Sequence, residues 1–340
     1  MLTFKEVSLT DQALLEQWAA TMTAIMSHDL PGFPPTTPRM AFLWQKFGRP
    51  GFRQEHFVAF DGEEPVGRLE ISFPLLDNLK NAYLSIDVMP SVRRRGIGRQ
   101  LYDLALERVK AAGRTTVLAS TVWTLPGIEA HDGGAGPAFA EAMGLGCANL
   151  PEVMRRLDLS KLDNDALDAM YSKALAASEG YRLVQWGSHA PDELVEDIAY
   201  LDGRLIEDAP MGDLAIEPEK VDAERVRAHE RAAESRGRIA FNTGAVHEES
   251  GRLVAWTCIA ADGETPWHAW QNITIVDPQH RGHRLGALVK VANLRQVLQA
   301  RPRLEVIDTS NAFVNSYMIS INEEMGFRPI WAFQSWQREL

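Results

Sequence analysis

Residues 86–98 read IDVMPSVRRRGIG, and residues 274–286 read TIVDPQHRGHRLG. Laid without gaps at an offset of 188, Val88 falls on Val276, Pro90 on Pro278, Arg93 on Arg281 and Gly98 on Gly286. The same offset puts Thr121 on Thr309, each at the end of a β-like run, TVLAST and LEVIDT. Further on, AMGL at 142–145 returns as EMGF at 324–327, now at an offset of 182, so the first copy carries six extra residues there. Three matches in one order make a duplicated folding unit the reading that governs the rest.

Length and composition agree. A chain of 340 residues holds two domains of about 100–200 residues each. Its 45% hydrophobic and 24% charged content is that of a globular protein. Acidic side chains outnumber basic ones by 46 to 35, a net charge of −11. That opposes a nonspecific grip on nucleic acid, although a local basic loop can still hold a small anion. No apolar run approaches the roughly 20 residues of a membrane helix. The opening MLTFKEVSLTDQ lacks the basic start and apolar stretch of a secretory signal, so no membrane partner is expected. Cys147 and Cys258 stand one in each half without a CxxC, which points to a reducing cytoplasm.

The element pattern repeats as well. In the first copy FKEVSL and EHFVAFDG suit strands, DGEEP is a turn leading into VGRLEISF, and YLSIDV runs to Pro90. From Gly98, residues Leu101, Leu104, Ala105, Leu106 and Val109 recur at helical spacing until Gly113, followed by the strand TVLAST and the short helix PAFAEAMG. The second copy starts near Tyr181 with YRLVQW. A helix in DELVEDIAYLDGRL follows, then two strands around EESG, then WQNITIV, GALVKVANLRQVL, LEVIDT, VNSYMISINEEMG and WAFQSWQ. The boundaries expected are a first domain over 1–157, a polar linker or bridging helix over 158–180 and a second domain over 181–340. This order implies a mixed sheet with packed helices rather than a doubly wound domain.

The chemical signal is strand, proline, then Arg93-Arg94-Arg95-Gly96-Ile97-Gly98 opening a helix. Unpaired N–H groups and the dipole at a helix start favour an anion. The glycines let backbone approach it, and the arginines add charge. The plain alternative is a solvated basic helix start. A dinucleotide fingerprint needs a glycine where Leu101 stands, and a P-loop needs Gly-Lys before Ser or Thr, which is missing.

The R-x-x-G-x-G spacing after a V-x-P strand end resembles the acyl-CoA loop of the GNAT acetyltransferases, and the resemblance covers both halves, about 300 of the 340 residues. The tandem pair is similar to two-domain members of the mycothiol synthase type and other actinobacterial two-domain acetyltransferases. The resemblance implies an α/β fold class, an α+β mixed sheet in two tandem GNAT acyl-CoA N-acyltransferase folds. It also implies acetyl-CoA as donor, its diphosphate on the loop amides and its pantetheine arm inserted beside a splayed strand. The cofactor-binding residues so implied are Val88, Arg93, Arg94, Arg95, Gly96, Ile97, Gly98 and Arg99. In the second copy they are Ile275, Val276, Arg281, Gly282, His283, Arg284, Leu285, Gly286 and Asn315. Arg284 departs from the pattern, because it stands at the first signature glycine: either its side chain points outward, or this loop binds coenzyme A less well.

Family members carry a late helix N-x-x-A-x-x-x-Y-x-x-x-G-F, whose Asn meets the cofactor and whose Tyr protonates the sulfur. The second copy has Asn315, Met318, Asn322, Gly326 and Phe327 in these places, with Asn322 where Tyr is expected and Tyr317 five residues earlier. The first copy has Gly133 and Ala140 there, behind HDGGAG. Catalysis is therefore expected in the second domain, with Asn322, Tyr317 and Asp308 as candidates. Asp308 can also be a strand-end cap, His268 can face the acceptor site or simply pack between tryptophans, and Asp87 can be a partner of strand-edge amides. HERAA and HEESG lack the second histidine of HExxH, so no metal is expected. Residues 207–236 carry nine acidic and five basic side chains, either to attract a cationic amine or as a solvated face. The expected activity is acetyl transfer to a small-molecule amine by direct attack, in a monomer or homodimer. An acyl-CoA-binding sensor and a protein or peptide acetyltransferase remain open.

Overall fold

The structure is a computed structural model and describes residues 2–340. The chain forms two compact units. One runs to Glu152 and adds Met211–Glu217 and Trp331–Leu340; the other is Val153–Pro210 with Pro218–Ile330.

In the first unit, β1 (Leu2–Glu6), β2 (Phe52–Asp61), β3 (Glu64–Pro74), β4 (Asn81–Val88) and β5 (Thr116–Trp123) lie in that order across a mixed sheet. Side chains alternate across it, as the two-residue strand period requires. Phe57 and Ala59 of β2 pack with Leu101, Ala105 and Val109 of α3 (Ile97–Ala111). Val58 and Phe60 meet Leu14, Leu15, Trp18 and Ala19 of α1 (Gln12–Asp29), and Ala41 of α2 (Pro38–Phe47), on the opposite face. Capping fixes the starts of both N-terminal helices: Leu14 N donates to Asp11 Oδ1 at 3.0 Å and Met40 N to Thr37 Oγ1 at 3.1 Å. A short helix, α4 (Ala135–Ala142), completes the α3 face.

The second unit repeats this plan. Its sheet contains β7 (Tyr181–Trp186), β8 (Arg238–His247), β9 (Leu253–Asp262), β10 (His268–Val276) and β11 (Val306–Ala312). The long α9 (Leu285–Ala300) lies on one face. On the other are α6 (Val195–Gly203) and α8 (Ala223–Ser235).

The closing strands are exchanged between the copies. β12 (Arg328–Glu339), sequentially the last strand of the second copy, pairs antiparallel with β5 from Ala332↔Trp123 to Glu339↔Thr116. Conversely, β6 (Gly146–Asp158) contributes Val153–Asp158 to the second unit, beside β11. The sequence boundary at 157 therefore moves to 152, and the last ten residues belong to the first unit.

Of the two readings of 158–180, the structure has the helix, and it is packed into the second unit. Asn164–Ala176 forms α5, whose Leu167, Met170 and Ala174 are buried with α9. Their spacing is one helical face, and the polar residues between them hide it in the sequence. The acidic stretch near 211–217 also has a structural role: Ala215 N donates to Gln337 Oε1 at 2.9 Å, and Asn81 Nδ2 donates to the Ala215 carbonyl at 2.8 Å.

Candidate donor cradle and acceptor face

In each unit a parallel strand pair separates just ahead of a helix start. The β4–β5 ladder runs from Asn81↔Thr116 to Leu84↔Ala119, leaving Ser85–Val88 of β4 outside it. The β10–β11 ladder ends at Trp270↔Asp308, and β10 bulges against β9 between Gln271 and Thr274. Bulges of this kind release strand amides from the ladder.

The two loops that follow share one backbone pattern. Arg94 and its counterpart Gly282 have φ of 65° and 91°; Gly96 and its counterpart Arg284 have φ of 83° and 55°. Gly96 and Arg284 are the N-caps of α3 and α9. Left-handed residues at a helix start turn successive N–H groups toward one point, a concavity suited to an anion. Arg284 therefore keeps the conformation its glycine counterpart has, at a cost of roughly 1–2 kcal/mol for an L-residue there. A Cβ at Gly96 would meet nothing within 4 Å. The second signature glycines sit against the late helices. A Cβ at Gly98 would lie 3.1 Å from the Phe139 ring, and one at Gly286 would lie 3.4 Å from Ile321 Cδ1 and 3.9 Å from the Tyr317 hydroxyl.

Side chains of the loop divide into two groups. Arg94, Arg95 and Arg99 are exposed around the mouth of α3. Arg93 instead donates from Nε to the Val88 carbonyl at 3.1 Å and pairs with Asp29. Arg281 repeats this, donating to the Val276 carbonyl at 3.3 Å and to Asp208 Oδ2 at 2.9 Å. These two arginines staple the loop to its strand. Ile97, Leu285 and Ile275 are core side chains, so at those positions only the backbone is offered. Beside the second loop, Tyr181 Oη is 3.0 Å from His280 Nδ1, and its ring lies 5.3 Å from the rings of His247 and His283. Burial and then His247 hold the His280 imidazole below its ordinary pKa.

The three candidate catalytic residues occupy separate environments. Asp308 is fully buried, bonded through both oxygens to Arg156 at 2.7 Å and to His268 Nε2 at 3.0 Å. Burial alone would raise its pKa; Arg156 and His268 outweigh it and hold the carboxyl low, which suits an ion pair and not a base. Arg156, which supplies both bonds, carries no motif in the sequence. His268, only 1% exposed between Trp267 and Trp270, is the packing histidine of the two readings. Asn322 is fully buried on α10 (Ser316–Glu324) and donates to Asn311 Oδ1 at 2.6 Å. Asn315 caps that helix by accepting from Met318 N at 3.2 Å. Tyr317 is 58% exposed, with its hydroxyl toward the Gly286 cradle. Neither cysteine fits an acyl carrier: burial pushes the Cys258 thiol up to about 11, and Cys147 lies on β6.

The acidic residues of 207–236 are engaged internally. Asp208 meets Arg204 and Arg281, Glu219 meets Arg225, and Glu230 meets Arg227. These contacts match the reading of a paired surface, not an open acidic wall.

A polar face that the motif search missed lies beneath α1. Strand register places His56 opposite Glu70 and Arg68 opposite Asp87, all on the face that Val58 and Phe60 share. Arg68 Nη2 is 2.7 Å from Asp87 Oδ2, and Glu70 Oε2 is 3.7 Å from both His56 and Arg68. Asp87 is thus an ion-pair partner and not a cap for strand-edge amides. Burial outweighs Arg68 and pushes its carboxyl pKa up. In the second unit the same register holds Asn242 opposite Cys258 and Trp256 opposite Ile275, a neutral, packed surface. The signal available in sequence was ionisable residues at alternate positions of otherwise apolar strands.

Comparison with known proteins places this geometry. The sequence profile of the Acetyltransferase (GNAT) family matches residues 18–131. Among solved structures, a tandem GNAT protein from the clavulanic acid biosynthesis pathway is 32% identical, with a TM-score of 0.83 over 100% of this chain and 98% of that one. A GCN5-related N-acetyltransferase from Sphaerobacter thermophilus shares the fold at 12% identity and a TM-score of 0.68, over 99% of this chain and 95% of that one. A glucosamine N-acetyltransferase region in a fungal multi-domain GH3 β-N-acetylglucosaminidase shares it at 16% identity and a TM-score of 0.68, over 99% of this chain and 38% of that one. No curated protein matches by sequence.

Proposed function

Because this chain belongs to the GNAT acetyltransferase family as a tandem member, we propose that it moves acetyl from acetyl-CoA to the amine of a small molecule by direct attack. The observation that carries the reading is the shared left-handed pattern at 94/282 and 96/284, set at two helix starts beside two diverging strand pairs. The exposed Arg94, Arg95 and Arg99 add charge for a diphosphate at the first cradle, and His283 and Arg284 do so at the second. Gly98 and Gly286 leave room between the helix start and the late helix.

Bound acetyl-CoA supplies an activated thioester. The amine lone pair forms the new C–N bond as the C–S bond breaks, the nitrogen loses a proton and the departing thiolate gains one. The chain's part is to hold the donor by backbone amides, to polarise the carbonyl with N–H groups freed along Ser85–Val88 or the β10 bulge, and to hold the amine close by. A buried, high-pKa Cys258 supports direct attack over an acyl-enzyme.

Sequence motifs alone favour chemistry in the second unit. The internal bonding of Asp308 favours a different division, with the second unit as a donor-holding scaffold and the first as the reactive one. Incubating the full chain with acetyl-CoA and a panel of amines, peptides included, and detecting free thiol and acetylated product tests the reading. Amide formation on small amines supports it. Coenzyme A binding without turnover identifies a sensor, and peptide products alone a protein acetyltransferase. No coenzyme A binding at all refutes it.

A further inference from the structure

The polar face of the first unit is built as a receptor. Trp18 of α1 meets His56 edge-on at 5.2 Å and lies under the Arg68 guanidinium, which pairs with Asp87, and Glu70 joins them. Arg68 is 3% exposed and His56 2%, yet among the described residues Arg68 Nε and Nη1, His56 Nδ1 and Trp18 Nε1 find no hydrogen-bond partner. Each orphaned buried polar group costs about 1–3 kcal/mol. Such groups gathered under one helix point to a polar molecule that completes them. The second unit fills the equivalent positions with Asn242, Cys258, Trp256 and Ile275, and there the Trp256 indole donates to Asn242 Oδ1 at 2.9 Å.

The chemistry of the groups defines the ligand. Arg68 faces two carboxylates, Asp87 and Glu70, so the cluster carries one more negative than positive charge; Arg93 and Asp29 next to it cancel. The excess favours an ammonium. The orphaned donors on Arg68 and Trp18 call for oxygen acceptors on the same molecule. A cavity of about 210 Å³ between the end of α2 and β2, with Trp44, Arg49, Phe52, Gln54 and His56 in its wall, reaches the edge of this cluster. Asp87 stands on the part of β4 beyond the ladder, one residue before the Val88 carbonyl that anchors the loop.

We infer that the compartment beneath α1 in the first unit binds the acceptor, and that this acceptor is a compact amine carrying oxygen acceptors, held by Arg68 and Trp18 through its oxygens and by Asp87 and Glu70 through its nitrogen. The inference rests on the acetyl-transfer reading and adds to it the unit and the acceptor class. It sets aside acceptors that are purely alkyl or aryl amines, because they leave the Arg68 and Trp18 donors unpaired.

Saturation-transfer NMR and calorimetry on the full chain test it, without and with coenzyme A, using three sets of amines: glucosamine and serinol, serine and lysine, butylamine and phenethylamine. The first two sets separate hydroxyl from carboxylate oxygens. At least one of them is expected to bind tenfold or more tightly than the third. Arg68→Met and Asp87→Asn are expected to weaken that binding at least tenfold while coenzyme A affinity stays within twofold, with Arg68→Lys recovering part of it. Wild-type circular dichroism and a single cooperative urea transition show that the variants fold, and His56→Asn, the residue at that register in the second unit, supplies a further variant. Equal binding by wild type and both variants, preference for the third set, or no binding by any set overturns the inference. Acceptor binding that obeys these expectations without any acetyl transfer would instead overturn the transfer reading and leave the compartment assigned.

Discussion

Asp308 offers the sharpest separation between a catalytic and a structural role. Replacing it with Ala leaves the Arg156 guanidinium, 18% exposed at its side chain, without the two 2.7 Å bonds it makes, and leaves His268 without its 3.0 Å partner. Breaking one side of such a buried pair costs about 3–5 kcal/mol, because a charge is left behind in a poor solvent. That is a large part of the roughly 5–15 kcal/mol that holds a domain together. Removing both charges, as in Arg156→Met with Asp308→Leu, leaves nothing stranded and is expected to restore most of the loss. Urea unfolding with an unchanged slope measures both, because a shifted midpoint at constant slope reports stability alone. The wild-type pair should also respond to acid. Its carboxyl is held below the ordinary range, so the contribution is complete above about pH 4 and fades as pH falls through the folded-state value. A single variant with an unaltered midpoint, or a double variant as unstable as the single, would refute the assignment of Asp308 to structure.

Three other outcomes are expected. Gly98→Ala must move the Phe139 ring and is expected to cost about 1 kcal/mol in thermal or urea unfolding, whereas Gly286→Ala meets Ile321 at ordinary contact and is expected to be neutral. Lys290 is fully buried with its pKa pushed down to about 7, so stability should rise from about pH 7 toward about pH 10 as the unfolded chain gives up its tighter-held proton. Lys290→Met should abolish that rise and raise the urea midpoint at neutral pH. Coenzyme A should bind more tightly as pH falls below the ordinary histidine range, because protonating His280, whose pKa burial and His247 hold low, adds charge beside the second loop. Calorimetry on His280→Asn should show a flatter pH dependence.

The duplication, the two helix starts and the strand order around them were legible because they depend on local chemistry: prolines ending strands, glycines with free φ, apolar residues at helical spacing. The late helix of the second copy was found from Asn315 to Phe327 for the same reason. What escaped was nonlocal. No spacing announces that Arg156 crosses to Asp308, 152 residues away. The pattern of α5 was masked by its exposed polar residues, and nothing in WAFQSWQ says which sheet it will join. The acceptor face was missed because His56, Arg68, Glu70 and Asp87 lie on three strands and form a cluster only once register is known. Asn322 stands out by its place in a motif and Asp308 by its place at a strand end; burial gives Asp308 internal partners on both oxygens, while Asn322 keeps one bond, to Asn311.

The exchange of closing strands has a consequence for how the protein is made. The ribosome delivers β5 (Thr116–Trp123) long before its partner β12 (Arg328–Glu339), so that edge waits unpaired while the whole of the second copy is made. An open edge of this kind is a template for association with other nascent chains. The first unit cannot be finished before the second has been synthesised, so maturation of the two is coupled.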